Sequence, residues 1–377
     1  MIRRRTYLLS LLLAMLTIGG GPARAAEQPW WLAEPVRGVW VANVGSDSLY
    51  SAEGVRETVA RCEQAGINTI FVVTWNRGYT LYPSRVMERE FGVAIDPRLE
   101  GRDPLRELID AAHAEGLKVV AWLEFGFSCS YQEPTGGRLI AERPEWAARD
   151  RDGELVSRNG FQWMNGFDPA VQDFLMELLL EVVREYDVDG VQGDDRLPAL
   201  PNTAGYDPLT LELYRAEHDG RSPPADPTDA AWTQWRADRL SRFVERAYGE
   251  LKALDPELCV SWAPSVYPWS KENYLQDWPR WLCEGWGDLF CPQVYRKRPA
   301  AYAETLRPLA EEQVAPADRA KVAPGILIAL ADGYNISSDD IRAMVRANRD
   351  AGFSGEVFFY YDGLKQHAEL FETLYAE

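Results

Sequence analysis

Asp189-Gly190-Val191-Gln192-Gly193-Asp194-Asp195-Arg196 reads as a short buried strand that runs into two adjacent carboxylates. Upstream, Glu185-Tyr186-Asp187-Val188 closes a helix-like segment. Downstream of Arg196 the chain turns Pro-rich and loop-like, which places the Asp pair at the carboxyl-terminal lip of the strand. In a parallel α/β barrel that lip lines the active site, and acids placed there suit acid/base chemistry on a bound ligand. The bland alternative is a strand followed by a solvated acidic turn, and the pattern on either side decides between the two.

Working outward, β-rich runs recur at Val36–Ala42, Asn68–Val73, Lys118–Glu124, Val188–Asp194, Leu258–Ala263, Asp288–Tyr295, Val322–Ile328 and Glu356–Tyr361. Amphipathic stretches lie between them: Ala52–Ala65, Asp103–Glu115, Ala170–Tyr186, Trp232–Leu254, Ala300–Glu312 and Ser338–Ala351. The first, second and last of these end in Gly66, Gly116 and Gly352, as helices ending on a glycine cap do. Eight βα alternations predict an α/β fold of the closed (β/α)8 TIM-barrel type, a single domain over residues 26–377. A doubly wound sheet is the runner-up, but no G-x-G-x-x-G or phosphate-loop Gly-Lys-Ser/Thr follows any strand. Two connections exceed what a barrel requires: Phe125 to Pro169 after the third strand and Arg196 to about Thr228 after the fourth. Long loops in a compact domain usually carry function.

The N-terminus is set aside from the fold. Arg3-Arg4-Arg5, the apolar run Tyr7 to Ile18 and Ala23-Arg24-Ala25 form the three parts of a secretory signal peptide over residues 1–25, with cleavage expected after Ala25. The apolar run is too short to span a bilayer, and no Cys follows the cleavage site to accept a lipid. The expectation is an exported protein, periplasmic or extracellular, with no membrane anchor in its mature form. A net charge of −18 speaks against nucleic acid or anionic membrane as partners and suits a polysaccharide substrate. The five cysteines (Cys62, Cys129, Cys259, Cys283, Cys291) are scattered and lack metal-type spacing, and Cys259 and Cys291 read as small buried hydrophobes. With three histidines far apart in sequence, neither a His-based metal centre nor a Ser/His triad is expected, and no cofactor is implied.

The strand ends repeat one chemistry. Trp40 and Asn43 follow the first strand, Trp75 and Asn76 the second, and Trp122 and Glu124 close the third. Trp262 ends the fifth, Gln293, Tyr295 and Arg296 the sixth, and Tyr361 and Asp362 the eighth. The long loops add Trp163, Asn165 and Tyr206, and Arg196 follows the Asp pair. Any one Trp is more often core than site, and Trp122 is expected to pack inside the barrel. With fourteen Trp and seventeen Tyr, however, the aggregate reads as a carbohydrate cleft: flat rings stack on sugars while Asn, Asp and Arg satisfy hydroxyls. Trp163 and Tyr206 are the expected stacking platforms.

These segments resemble the glycosyl hydrolase-like family ten, exported bacterial barrels similar to glycoside hydrolases. The matching stretches are Arg37-Gly38-Val39-Trp40-Val41, Ala121 to Phe127, Trp163-Met164-Asn165, Tyr186 to Gln192, Asp194-Asp195, Gly205-Tyr206-Asp207-Pro208 and Pro292-Gln293-Val294-Tyr295-Arg296. The resemblance implies a (β/α)8 fold and hydrolysis of glycosidic bonds, and a relative in the family cleaves peptidoglycan glycan strands stripped of their peptides. The family usually continues Asp-Asp with His or Tyr and then Phe, where this chain has Arg196-Leu197, and some relatives carry Asn in place of Glu124.

A glycosidase commonly uses two carboxyl groups, one protonated and one ionised. Period-2 alternation places Trp122 with Glu124, and Gln192 with Asp194, on single strand faces. With those faces inward, Asp194 projects into the lumen and Asp195 begins the loop over the cleft. The expected assignment makes Asp195 the general acid, its pKa raised by Asp194 and partial burial, with Asp194 ionised and Glu124 acting as base, nucleophile or sugar-hydroxyl ligand. Asp-Gly-x-x-x-Asp also resembles part of the family eighteen chitinase pattern, which implies substrate-assisted hydrolysis, but Arg196 stands where that family has its catalytic Glu. From a different class, a non-catalytic carbohydrate-binding barrel would keep the aromatic cleft without needing the acid pair.

Overall fold

A computed structural model describes residues 28–330 and 332–375, so the expected signal segment lies outside the described residues. Eight parallel strands follow in order: β1 (Arg37–Val41), β2 (Thr69–Val73), β3 (Lys118–Leu123), β4 (Gly190–Gly193), β5 (Cys259–Trp262), β6 (Leu289–Phe290), β7 (Gly325–Leu327) and β8 (Glu356–Phe359). Each falls inside one of the eight expected runs. Strands β1 to β6 pair successively, β7 pairs with β8, and β8 returns to β1. Between β6 and β7 the Ala323 amide donates to the Phe290 carbonyl at 2.9 Å and the Gly325 amide to the Pro292 carbonyl at 2.8 Å. The sheet therefore curls round on itself as an α/β barrel.

Helices α1 (Ala52–Gln64), α2 (Pro104–Ala114), α3 (Pro169–Glu185), α4 (Ala230–Leu254), α5 (Trp278–Cys283), α6 (Pro299–Pro308), α7 (Ser338–Asp350) and α8 (Ala368–Leu374) each follow a strand. Their starts were written locally. Ser51 and Ser337 accept amide hydrogens at the first turns of α1 and α7, and Asp103 and Asp168 do so for α2 and α3 ahead of a first-turn Pro. The expected Ala300–Glu312 helix is shorter: α6 stops at Pro308 and the chain continues as a wider turn, Leu309–Gln313.

The lumen is filled by side chains of alternate strand positions, as the period-2 reading requires. Trp40 Nε1 donates to Gln192 Oε1 at 2.7 Å, Gln192 Nε2 donates to Ser261 Oγ at 2.8 Å, and the Trp40 ring lies 6.3 Å from both Trp122 and Tyr295. The barrel axis is thus plugged below the carboxyl ends, and any ligand must enter from the loop side.

The loop after β3 folds into an antiparallel sheet (Ser128–Tyr131, Ser157–Arg158, Phe161–Trp163), and the loop after β4 carries the helix Pro208–Glu217. Arg236 on α4 ties the second loop down by donating to the Ala204 carbonyl at 2.7 Å and the Pro227 carbonyl at 2.5 Å. The two loops meet at Gly126. Its φ is +49°, and a Cβ there would sit 2.1 Å from the Arg196 carbonyl oxygen, so only glycine lets the β3 loop reach the backbone of Arg196. The Phe127 amide then donates to that carbonyl at 2.9 Å.

Candidate active site

Three acids from two neighbouring strands surround one guanidinium. Glu124 directly follows β3, and Asp194, Asp195 and Arg196 directly follow β4. Arg196 Nη2 lies 2.7 Å from Asp194 Oδ2 and 3.6 Å from Glu124 Oε1, and Nη1 lies 2.9 Å from Asp195 Oδ1. Its Nε donates to the Glu124 carbonyl at 2.9 Å, and its planar face stacks on Phe161 at 4.6 Å. The expectation that Arg196 is a substrate ligand is corrected: its donors are turned toward the acids, which compete for them more strongly than hydroxyls do.

Depth separates the three carboxyls. Asp194 is 2% exposed, Glu124 14% and Asp195 24%. Asp194 Oδ1 accepts from Gln293 Nε2 at 2.6 Å, its carbonyl accepts from Gln276 Nε2 at 3.2 Å, and Glu124 Oε2 accepts from Asn76 Nδ2. Burial pushes the Asp194 carboxyl well above the ordinary carboxylate range, and the Asp195 charge adds to this while Arg196 opposes it. Burial also raises Glu124, against the pull of Arg196 and Asn76. The expectation of an ionised Asp194 is corrected on this point, because Asp194 is the deepest of the three and its desolvation outweighs the pull of Arg196. Hydrogen bonding divides the two raised groups further. Both Asp194 oxygens are already engaged by donors from the protein, which leaves neither free for a ligand. Glu124 Oε1 is 3.6 Å from Arg196 Nη2, beyond hydrogen-bond reach, and is free to carry a proton.

Several acceptor oxygens at the same end of the barrel are buried with no aligned hydrogen bond: Asn43 Oδ1, Asn76 Oδ1, Asp195 Oδ1 and Asp362 Oδ2. The 2.9 Å contact of Asp195 Oδ1 with Arg196 is a charge contact out of line for a hydrogen bond. Leaving such atoms unpaired costs about 1–3 kcal/mol each, a cost that sugar hydroxyls would remove.

The aromatic platforms expected from sequence are otherwise placed. Trp40, Trp75, Trp163, Trp262 and Tyr361 are all buried and have no face to offer a sugar ring. Trp75 Nε1 instead donates to the Gly126 carbonyl at 3.0 Å, and Trp262 Nε1 to the Trp286 carbonyl at 2.7 Å, so both hold loops in position. Trp163, 1% exposed, packs 5.8 Å from Tyr274. Trp163→Ala is therefore expected to cost about 3–5 kcal/mol of stability through the cavity it leaves, rather than to weaken sugar stacking; chemical denaturation of the two proteins measures it. Tyr206 donates its hydroxyl to the Pro224 carbonyl at 3.0 Å and packs on Trp232, and Asn165 Nδ2 donates to Thr210 Oγ1 at 3.2 Å, so both brace loops. Arg296 donates to the Tyr295 carbonyl and Asp362 pairs with Lys365 at 2.8 Å. Tyr295 is half-buried and borders Asp194, whose charge adds to burial in raising its phenol.

The residues brought to the acids and missed by sequence reading are Gln276, Tyr274 and, as the Arg196 platform, Phe161. Gln276 and Tyr274 lie in the β5–α5 connection, where no periodic pattern marks them. Among the described residues no group of three or more His, Cys, Asp or Glu is arranged to hold a metal ion.

The profile of the glycosyl hydrolase-like 10 family matches residues 35–340. The chain belongs to that family. Glycosyl hydrolase DigH of Escherichia coli K12 is 24% identical over 315 residues, covering 74% of this chain and 68% of that protein. Glycosyl hydrolase YngK of Bacillus subtilis is 22% identical over 293 residues, covering 69% of this chain and 54% of that protein. Among solved structures, the glycoside hydrolase domain of PgaB (BpsB) from Bordetella bronchiseptica superposes with a TM-score of 0.69 at 15% identity, covering 90% of this chain and 98% of that one. The α-L-fucosidase isoenzyme 2 of Paenibacillus thiaminolyticus gives 0.65 at 20% identity, covering 91% and 49%. At such identities the structural likeness speaks for the fold alone, an α/β barrel of the kind glycoside hydrolases use.

Proposed function

We propose that the protein is an exported glycoside hydrolase that cleaves O-glycosidic bonds of a polysaccharide, with peptide-free peptidoglycan strands the first substrate to test. The observation that carries this reading is the division of labour among the acids. Glu124, raised by burial and with one oxygen free of donors, is suited to deliver a proton to the leaving oxygen. Asp195, the most exposed, presents a carboxylate at the mouth of the cleft, to attack the anomeric carbon or activate a water. Asp194 and Arg196 lie beneath and hold the other two in place. Family membership and the barrel fold support the same reaction class.

Glu124 works as an acid only while protonated, so kcat/KM is expected to fall as pH rises through its raised pKa. That alkaline limb should vanish in Glu124→Gln. Mass spectrometry of products from peptide-free peptidoglycan strands, chitooligosaccharides and plant β-glucans tests the activity, and proton NMR of the fresh product reads whether the anomeric centre is retained. No product from any glycan that binds would favour the binding-barrel reading instead.

A further inference from the structure

Of the fourteen tryptophans, Trp269 alone is exposed, at 43%; the others are buried or half-buried. An exposed indole presents a flat apolar face with a polar N–H at its edge, which suits it to stack on a sugar ring. Trp269 begins the helix Trp269–Tyr274 in the connection between β5 and α5, on the barrel's active-site face. Its ring leans on Tyr274 at 5.3 Å, which holds the indole in place. Tyr274, at the other end of the helix, borders the acids: after burial, the Asp195 charge is the next cause raising its phenol.

The same helix forms one wall of a cavity of about 610 Å³, lined by Asn202, Gln234, Tyr267, Lys271, Glu272 and Asn273 among others. That volume falls in the roughly 300–1,000 Å³ range of small-molecule sites. The polar groups are already oriented. Lys271 Nζ donates to Gln234 Oε1 at 2.8 Å, Asn202 Nδ2 to the Glu272 carbonyl at 2.8 Å, and Arg158 Nη2 to Asn273 Oδ1 at 2.6 Å. The Lys271 ammonium pairs with Asp277 at 2.9 Å, so the wall offers amides and hydroxyls without an unpaired cation for an anion. Groups of this kind recognise a neutral polyhydroxylated ligand.

We propose that the Trp269 face and this groove form a distal subsite for uncharged sugar rings of the same glycan chain whose scissile bond lies at Glu124 and Asp195. The proposal rests on the glycosidase reading for its substrate class. Trp269 and Tyr274 stand at the two ends of one six-residue helix, about 9 Å long at 1.5 Å per residue, a length that a short oligosaccharide spans.

The test is calorimetric binding of chitohexaose, cellohexaose and the corresponding dimers to the mature protein carrying Asp195→Asn, the variant expected to stop turnover. Trp269→Ala and, on a separate element, Gln234→Ala are then added to that background, with melting temperatures recorded. The hexamer-to-dimer affinity ratio is expected to fall about tenfold with Trp269→Ala and severalfold with Gln234→Ala. An unchanged ratio in both variants overturns the subsite, as does the absence of binding by either hexamer. Failure of the glycosidase reading looks different: the otherwise unchanged protein makes no product from any glycan while hexamer affinity still depends on Trp269.

Discussion

Asp195→Asn is expected to abolish measurable glycan hydrolysis while leaving the melting temperature unchanged or slightly raised. The substitution keeps the side chain's shape and removes the one carboxylate of the cluster that reaches the mouth of the cleft. Loss of acid/base help costs about 10²–10⁴-fold in rate, and more where the lost charge also stabilises an oxocarbenium-like transition state. Stability has little to lose. Arg196 gives up its foremost charge partner, but Asp194 and Glu124 remain beside it and the Asp195 charge no longer opposes ionisation of Asp194, so the two effects offset. Product formation and calorimetric melting of the two proteins check both halves. Near-normal turnover would make the pair structural and pass the role to Asp362, whose Oδ2 is buried and unpaired.

Arg196→Met is expected to be the most destabilising change in the site at neutral pH, by about 3–5 kcal/mol, because it strands buried acids without their cation. Met keeps the packing against Phe161 and Phe125, so the loss is electrostatic. Its pH dependence has a defined sign. Asp194 and Glu124 are already raised, and removal of the cation that pulls them down raises them further. The folded variant then holds more protons than its unfolded chain above the ordinary carboxylate value near ~4, so its stability falls as pH rises from there. The deficit relative to the unsubstituted protein should be small below about pH 4 and grow toward neutrality. Urea unfolding across that range measures it; a deficit independent of pH would show that Arg196 acts through packing alone. In any residual activity the alkaline limb should move to higher pH, since Glu124 then keeps its proton longer.

Much of this architecture was legible because its causes are local. Each barrel strand is an apolar run flanked by polar turns, and helices α1 to α4 and α7 each start on their own Ser or Asp cap, so strand order and the placement of Glu124, Asp194 and Asp195 at strand ends follow from neighbours in sequence. The inward direction of Gln192 and Asp194 follows as well, since a strand alternates with a period of two. The short helices α5 and Trp269–Tyr274 were not legible. They span six residues each, too few turns to display an amphipathic period.

Exposure and protonation were decided elsewhere. Trp163 and Trp269 are chemically the same residue in equally loop-like sequence, yet one is sealed under Tyr274 and the other is open to solvent. What covers a side chain comes from segments distant in the chain. Likewise Asp194 and Asp195 are adjacent and identical in type, but Gln293 from beyond β6, Gln276 from the β5–α5 connection and the walls of the barrel converge on the first and leave the second at the mouth. A pKa responds to the dielectric and charges within a few ångströms, and those are assembled only when the barrel curls round. The sequence by itself determined that acids stand at the ends of β3 and β4; which acid is buried, which oxygen lacks a donor and which tryptophan faces water belong to the tertiary structure, because each depends on atoms brought from far along the chain.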